Sequence, residues 1–319
     1  MSSQAVKPPA GSLFRPGRHP DRPVWEEEPT LVGRLGKPVV LALVFLVVAF
    51  PLYVVVVTSL SSTEAVTRAG GLVVVPRELT LAAYVQLLSG GVVTRALVIS
   101  TVITVVGTAF SLLITVLAAY GLSRPGSLWH RPLLFVVLLT FLFGPGIIPS
   151  YLLVNSLGLI DSYASLILPT AISAFNLIVM RAFFMGIPGE LIDSARIDGA
   201  GEFAVLTRIV LPLSKAVVAV VGLFYAVGYW NAFFNAMLYL NDNTKWPLQL
   251  VLRTYIVQAQ VLPTGAGGVT SSPALGLAPA PSLAIKMAIV VLAVIPVLLV
   301  YPFIQKHFTK GVIIGAVKG

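Results

Sequence analysis

The sequence predicts an all-α, polytopic membrane protein with six transmembrane helices and both termini in the cytoplasm. Three observations support this class: the hydrophobic content, six long apolar runs, and an uneven distribution of Lys and Arg. Hydrophobic residues make up 57% of the 319 residues, charged residues only 10%, and the mean hydropathy is +0.95. A water-soluble domain with a polar surface could not sustain this composition. The chain is therefore expected to act in or beside a bilayer.

The apolar runs are long enough to cross the membrane as helices. A span needs about 20 apolar residues, because a helix rises about 1.5 Å per residue and the hydrocarbon core is about 30 Å thick. Strands would need a closed barrel with alternating polarity, and these runs do not alternate. The predicted spans, within a transmembrane domain over residues 38–305, are residues 38–60, 97–122, 132–156, 164–184, 214–239 and 283–304.

The flanking and connecting segments have a different composition. Residues 1–37 are rich in proline and charge, which predicts a disordered cytoplasmic tail. Residues 306–319 are interpreted as a cytoplasmic C-terminal tail, and the Gly, Ala, Pro and Ser-rich segment 261–281 as a flexible loop. No convincing internal repeat is visible, which argues against a carrier built from inverted repeats.

The positive charges set the orientation, since loops rich in Lys and Arg stay in the cytoplasm. The richer side holds the N-terminal tail, Arg124, Arg131, Arg181, Arg196, Arg208, Lys215, Lys306, Lys310 and Lys318; the other side holds Arg68, Arg77, Arg95, Lys245, Arg253 and Lys286. The net charge of +9 is thus attributed to topology rather than to nucleic-acid binding, because no basic stripe with interleaved aromatics appears. Cysteine is absent, which excludes disulfides and thiolate chemistry.

The loop over residues 186–213, between the fourth and fifth spans, is the most charged segment outside the N-terminal tail. Pro188 and Glu190 suit a helix start, and Asp198 with Gly199 suits a turn that tolerates positive φ. Glu202 then opens a second short helix with an apolar face. Two short amphipathic helices on the cytoplasmic side would expose apolar surface that needs a partner.

The spacing within this loop resembles the EAA motif of the permease subunits of binding-protein-dependent ABC importers. The motif is Glu-Ala-Ala, three residues, Gly, nine residues, Ile, one residue, Leu-Pro. This sequence has Asp193-Ser194-Ala195, then Gly199, then Ile209, Leu211 and Pro212, with every spacing kept and two conservative departures. The segments 119–124, 301–306, 310–311 and 315–319 are similar to those of carbohydrate-importing members.

The resemblance implies a type I importer permease fold, like that of the methionine importer, and a coupling helix that sits in a cleft of a separate ATPase. The residues it assigns to ATPase coupling are Glu190, Asp193, Ser194, Ala195, Asp198, Gly199, Phe203, Ile209, Leu211 and Pro212. The implied partners are an ABC ATPase dimer that uses ATP and Mg, a second and different permease subunit, and an extracytoplasmic solute-binding protein. The implied solute is a sugar or oligosaccharide crossing the inner membrane of a prokaryote, with no cofactor on this chain.

Polar and aromatic residues inside the spans are candidates for the solute path, because burying them in lipid is costly. Amides can pair with sugar hydroxyls, and aromatic rings can stack on the C–H face of a sugar. The candidates are Asn176, Tyr225, Trp230, Asn231 and Asn235. The alternative is that the aromatics form an interfacial belt and the amides bond neighbouring helices.

The third span is interrupted by two glycines and two prolines, which free backbone carbonyls and permit a bend. These residues, Gly144, Pro145, Gly146 and Pro149, are interpreted either as a hinge or gate or as a tolerated kink. The three histidines, His19, His130 and His307, lack metal-ligand spacing, so no metal site is predicted.

Other classes of function fit less well. An ATPase would need a Gly-rich phosphate loop ending in Gly-Lys-Ser or Gly-Lys-Thr, which the chain lacks, so energy must come from another subunit. An enzyme would need a convergent set of acid, base and nucleophile, which cannot be assembled. The alternatives kept open are an ABC permease for a non-carbohydrate solute and an ion-coupled carrier, although a carrier would normally place an ionisable residue near mid-bilayer.

Overall fold

A computed structural model describes residues 31–89, 91–124, 129–257 and 282–316. Regular structure in these ranges is helical, apart from one isolated antiparallel bridge between Ser61 and Leu79. The α-helices are α1 (Leu31–Ser59), α2 (Thr63–Arg68), α3 (Ala82–Leu88), α4 (Val92–Ser123), α5 (His130–Leu142), α6 (Ile147–Ser156), α7 (Ala164–Ile167), α8 (Ala174–Met185), α9 (Gly189–Ile197), α10 (Glu202–Val205), α11 (Leu211–Leu213), α12 (Lys215–Trp230), α13 (Phe233–Tyr239), α14 (Leu248–Val257) and α15 (Leu283–Ala316). Most of the predicted N-terminal tail (1–30) and the predicted loop 261–281 lie outside the described residues.

Among the described residues, three continuous helices and three bent helix pairs have the length and hydropathy of a membrane span. Gly36–Ser59, Val92–Ser123 and Leu283–Val300 are each long and apolar enough to cross a membrane. The bent pairs are His130–Leu142 with Ile147–Ser156 at 120°, Ala164–Thr170 with Ala174–Met185 at 50°, and Glu202–Leu213 with Lys215–Trp230 at 85°. The predicted all-α membrane-spanning class is confirmed, with up to six spans among the described residues if each bent pair is one span.

The first and last helices extend beyond the predicted spans. α1 begins at Leu31 rather than at residue 38, and α15 continues past residue 304 to Ala316. Charged residues end the stretch that can be buried in lipid, but Lys and Arg are good helix formers and do not end a helix. Residues up to Leu52 and residues from Tyr53 form two units, and all the site residues belong to the second unit.

Two of the predicted spans contain breaks that the hydropathy pattern does not reveal. Residues 164–184 are interrupted between a 3₁₀ turn, Leu168–Thr170, and the start of α8, whose N-cap Ser173 accepts a hydrogen bond from the Asn176 amide. Residues 214–239 are interrupted between α12 and α13, at Asn231 and Ala232. Ser and Asn side chains compete with helical backbone bonds, which explains why apolar segments break at these positions.

The core lies where α4, α8 and α12 pack together. One cluster of buried side chains joins α4, α8 and α12 to the loop helices, and includes Val116, Met180, Val205 and Val221. A second cluster, around Trp230, joins α3, α4, α12, α14 and α15. These two clusters hold the 186–213 loop and α14 in fixed positions relative to α4.

Candidate functional site

The 186–213 loop folds as two short helical segments joined by a tight turn. α9 follows Pro188, carries an acid in its first turn and Arg196 in its last, and so complements its own dipole at both ends. The turn depends on Gly199, whose φ of +83° is in the left-handed region. The Ala200 amide donates to the Ala195 carbonyl at 2.9 Å and closes the turn. The predicted turn at residues 198–199 is therefore present.

The second segment continues from α10 through a π-helical turn, Leu206–Val210, into α11 and then bends by 85° into α12. Pro212 has no N–H to offer the Arg208 carbonyl, which accounts for the wider turn at this point. Thr207 donates its hydroxyl to the Phe203 carbonyl at 2.8 Å and supports the same turn. The entry into α12 is thus set by the proline of the motif.

The loop buries one apolar face and exposes another. Val205, Leu206 and Val210 are buried and pack in the core against α4, α8 and α12. Ile197 and Phe203, by contrast, are 87% and 74% exposed. An exposed apolar surface on a firmly anchored loop is suited to contact with another protein.

The predicted coupling residues are divided between the exposed face and the core-facing side of this loop. Seven are exposed and therefore available to a partner, whereas three are half-buried, two of which (Ala195 and Leu211) pack against the core. The exposed residues are Glu190, Asp193, Ser194, Asp198, Gly199, Phe203 and Pro212, and the half-buried residues are Ala195, Ile209 and Leu211.

Glu202 is the central residue of an ionic cluster that sequence reasoning missed. Its Oε1 accepts from Arg196 Nη2 at 2.6 Å, and its Oε2 accepts from the Tyr120 hydroxyl at 2.5 Å. The Arg124 Nη2 donates to the same hydroxyl at 2.7 Å, and its guanidinium lies 4.4 Å from the Tyr120 ring centroid. The hydrogen bonds from Tyr120 and then Arg196 hold the pKa of Glu202 below its usual value. The only available sequence signal was an acid and a base flanking the Gly199 turn.

A cavity of about 350 Å³ lies between the broken fourth span and the α12–α13 region, and this volume is within the range of small-molecule sites. Its lining combines hydroxyls, amides and aromatic rings. The residues that line it are Thr170, Ser173, Phe175, Asn176, Phe224, Tyr225, Gly228, Tyr229, Ala232 and Asn235. Three of the predicted solute-path residues, Asn176, Tyr225 and Asn235, are therefore brought together.

The hydroxyls of the two cavity tyrosines are occupied by the protein. The Tyr225 hydroxyl lies 2.7 Å from Thr115 Oγ1 and accepts from the Ser173 amide at 3.0 Å. The Tyr229 hydroxyl lies 2.7 Å from Ser111 Oγ and donates to the Ile167 carbonyl at 3.3 Å. A solute in the cavity would thus meet tyrosine rings, while the hydroxyls link α12 to α4 and to the broken fourth span.

Close packing at Gly107 positions one of these rings. A Cβ added at Gly107 would lie 2.9 Å from atoms of the Tyr229 ring, closer than real Cβ atoms approach. The glycine thus allows α4 and α12 to approach each other beside the cavity.

Two predicted solute-path residues lie away from the cavity lining. The Trp230 indole N–H donates to the Ala293 carbonyl at 2.9 Å within the second buried cluster. The Asn231 side-chain amide donates to the Val227 carbonyl of its own helix at 2.9 Å. Trp230 is thus buried between helices rather than placed in an interfacial belt, and the Asn231 amide bonds its own helix rather than a neighbouring one.

The predicted hinge or gate coincides with the sharpest of the three bent helix pairs. α5 and α6 meet at 120°, and Gly146 has a φ of +80°. Ser150 Oγ donates to the Gly146 carbonyl at 2.7 Å. Gly144, Pro145, Gly146 and Pro149 are all exposed in this chain. The bend is present, and a gating role for it stays a prediction.

A second ionic contact joins the turn before α7 to the segment after α13. Asp161, with a φ of +61°, accepts from the amides of Asn241 and Asp242 at 3.1 and 3.0 Å. The Lys245 ammonium donates to the Asp161 carboxylate at 2.6 Å and to its carbonyl at 2.8 Å. The bond from Lys245 holds the pKa of Asp161 low, and in return the pKa of Lys245 is raised.

The comparisons with known proteins agree on one class. Residues 111–314 match the family model described as "Binding-protein-dependent transport system inner membrane component". The chain is 46% identical to the polygalacturonan/rhamnogalacturonan transport system permease protein YtcP of Bacillus subtilis, covering 86% of this chain and 94% of that protein. It is 47% identical to Protein LplC of the same organism, covering 81% and 85%. A bacterial ABC transporter involved in the import of the acidic polysaccharide alginate contains a chain with a TM-score of 0.76 and 32% identity, covering 86% of this chain and 96% of that chain.

Proposed function

The chain belongs to the family of binding-protein-dependent transport system inner membrane components, and on this basis we propose that it is the permease subunit of an ATP-driven importer of saccharides. ATP and Mg would be used by a separate ATPase dimer. A second, different permease subunit would complete the pathway, and an extracytoplasmic binding protein would deliver the solute. The complex would reside in the cytoplasmic membrane of a prokaryote.

The observation that carries this proposal is the geometry of the 186–213 loop. Its buried face packs firmly against α4, α8 and α12, and its other face presents Ile197 and Phe203 to the outside. A loop that is fixed at its base and apolar at its tip can transmit force from a docked subunit. ATP-driven closure of the ATPase dimer would draw such loops together and change which side of the membrane the cavity faces.

The cavity supports a saccharide as the solute. The side-chain amides of Asn176 and Asn235 can bond hydroxyls, and the rings of Phe175, Phe224 and Tyr225 can pack on sugar C–H faces. The names of YtcP and of the alginate importer both refer to polysaccharides. An oligosaccharide is therefore the solute class we propose.

The charge of the sugar is a separate question, because none of the ten residues lining the described cavity is charged. A uronate carboxylate placed there would be costly unless a cation came from outside this subunit. Calorimetric titration of the binding protein with neutral oligosaccharides, polygalacturonan fragments and alginate fragments distinguishes these solutes. A binding protein that prefers a non-saccharide solute would overturn the saccharide part of the proposal.

The coupling function is tested by Gly199→Val, with Gly201→Val as the matched control. Neither position has an atom within 4 Å of an added Cβ, but only Gly199 has a positive φ. A β-branched residue in the left-handed region is strained by about 1–3 kcal/mol, which would alter the angle between α9 and α10. We expect Gly199→Val to lower ATPase co-purification and ATP-driven uptake about tenfold or more, and Gly201→Val to have a much smaller effect.

Normal ATPase association and unchanged uptake in the Gly199 variant would contradict the coupling assignment. The rival ion-coupled carrier makes the opposite prediction for energy supply. Uptake driven by an imposed ion gradient, in vesicles that contain no ATPase, would establish the carrier and overturn the importer proposal.

A further inference from the structure

Glu202 is the point at which three separate elements meet. The residue opens α10, one of its oxygens bonds Arg196 at the end of α9, and the other bonds Tyr120 near the end of α4. Arg124, also on the α4 side, lies 4.0 Å from the same carboxylate. One carboxylate thus joins the exposed coupling loop to a membrane-spanning helix.

The helix that Glu202 holds is the one that positions the cavity tyrosines. Thr115 and Ser111, which contact the Tyr225 and Tyr229 hydroxyls, precede Tyr120 on α4 by five and nine residues. At about 1.5 Å per residue, these positions lie roughly 7.5 and 13.5 Å along a continuous helix from Tyr120. A displacement of the cytoplasmic end of α4 would therefore reach the cavity wall through a short, rigid path.

Within the loop, the position of α9 depends on the Glu202 carboxylate more than the position of the second helical segment does. Val205 and Leu206 anchor the second helical segment in the apolar core. α9 itself buries only one side chain fully, Ile192. Apart from the backbone bonds of the Gly199 turn, its last turn is held by the Arg196–Glu202 bond, with a longer contact of 3.9 Å between Arg196 and Asp193 on the same helix. Loss of the carboxylate would loosen the end of α9 without exposing the buried face of the loop.

We infer that Glu202 is a positioning residue that fastens α9 to α4, so that movement of the coupling loop is delivered along α4 to the cavity. The inference rests on the proposed function, since it assigns a route to the movement that a docked ATPase would cause. Glu202 need not touch the ATPase or the solute for this role. Its loss should therefore uncouple ATP hydrolysis from transport rather than abolish subunit assembly.

The link itself can be measured without any solute, because the chain contains no cysteine. Exposed Leu191 on α9 and exposed Leu117 on α4 are replaced by cysteine and spin-labelled, in a complex whose other subunits lack reactive cysteines. We expect a narrow distance distribution in the parent chain and a broad or shifted one after Glu202→Gln or Tyr120→Phe. Glu64→Gln removes another exposed first-turn carboxylate, on α2, and is the matched control. Unchanged distributions in both cluster variants would overturn the inference.

The consequence is measured as saccharide uptake per ATP hydrolysed by the reconstituted complex, with the neutral oligosaccharide, polygalacturonan fragment or alginate fragment that the binding protein binds most tightly as the probe. We expect Glu202→Gln to lower this ratio about tenfold and Tyr120→Phe about threefold, with the ATPase still bound. The double variant should be no worse than Glu202→Gln alone, because both changes break one link. Additive losses, an unchanged ratio, or loss of bound ATPase in step with uptake would overturn the inference.

The parent complex separates this inference from the proposed function. If the parent chain neither retains an ATPase nor shows ATP-dependent uptake, the proposed function fails, and this inference fails with it. If the parent complex couples hydrolysis to uptake but the Glu202 variants couple equally well, only the inference fails.

Discussion

Two carboxylates hold the loops of this molecule, and they do so in different ways. Glu202 is bonded by side chains, those of Arg196 and Tyr120, which belong to two other helices. Asp161 is bonded largely by backbone, through the amides of Asn241 and Asp242, with one lysine added. A contact made between side chains can break and reform while the backbone keeps its path. A contact made to backbone amides fixes the path itself, so Asp161 is expected to stabilise the fold and Glu202 to transmit movement.

The largest effect on stability is therefore expected at Asp161. Asp161→Ala removes the acceptor of two backbone amides and one ammonium, and it places alanine at a φ of +61°. We expect the thermal unfolding midpoint of the purified complex to fall by several degrees. Asp161→Asn retains an acceptor oxygen, and asparagine tolerates this φ. The midpoint of this variant should therefore fall less than that of Asp161→Ala. Equal midpoints for Asp161→Ala and Glu202→Ala would remove the distinction between the two carboxylates.

An intermediate effect is expected from acid. The pKa of each carboxyl is below its ordinary value, 3.8 for Asp161 and 4.5 for Glu202. A carboxyl whose pKa is lowered by folding stabilises the folded state at pH values above its ordinary pKa. This stabilisation is lost as the pH falls through the pKa of the folded state. The unfolding midpoint should thus be insensitive to these groups near pH 7 and should fall below about pH 4.

The same acid titration distinguishes the two sites. Glu202→Gln and Asp161→Asn each remove one titrating carboxyl. The unfolding midpoint of each variant should therefore fall less on acidification than that of the parent. The midpoint is followed by scanning calorimetry from neutral to acidic pH in both variants and the parent. An identical acid decline in all three would show that neither carboxyl contributes.

The smallest effect on stability is expected at Asp193. Its carboxylate is exposed and lies 3.9 Å from Arg196, and exposed ion pairs of this kind contribute little. Asp193→Asn should leave the unfolding midpoint unchanged within error. The same variant should weaken ATPase capture if Asp193 is a docking residue, as its place in the motif implies. A clear fall in the unfolding midpoint would instead show that the exposed Asp193–Arg196 pair stabilises the fold.

Local sequence signals predicted the fold well where one residue type determines the backbone. The break between α5 and α6 follows from Pro145 and Gly146, and the turn between α9 and α10 follows from Gly199. Hydropathy located all six apolar runs, because burial in lipid depends on composition over about 20 residues. It could not reveal that the runs at 164–184 and 214–239 are interrupted, since those breaks depend on single capping residues.

The candidate sites were predicted in part, for a related reason. Asn176, Tyr225 and Asn235 were predicted as solute-path residues and do line one cavity, because polar groups in apolar spans are rare enough to stand out. The pattern could not show that Trp230 faces a different cluster, or that Asp161 meets Lys245 across 84 positions. Contacts between distant segments depend on how the helices pack, and a single sequence does not record that packing.

The absence of a side chain at Gly107 has an evolutionary consequence. The Tyr229 ring fills the space that a Cβ at this position would need, so neither residue can change freely alone. A methyl group at 107 would be accommodated only by a smaller or displaced side chain at 229, and such a change would enlarge or reshape the cavity. Substitutions at these two positions are therefore expected to occur as pairs, and lineages that handle solutes of different widths would differ at both positions together.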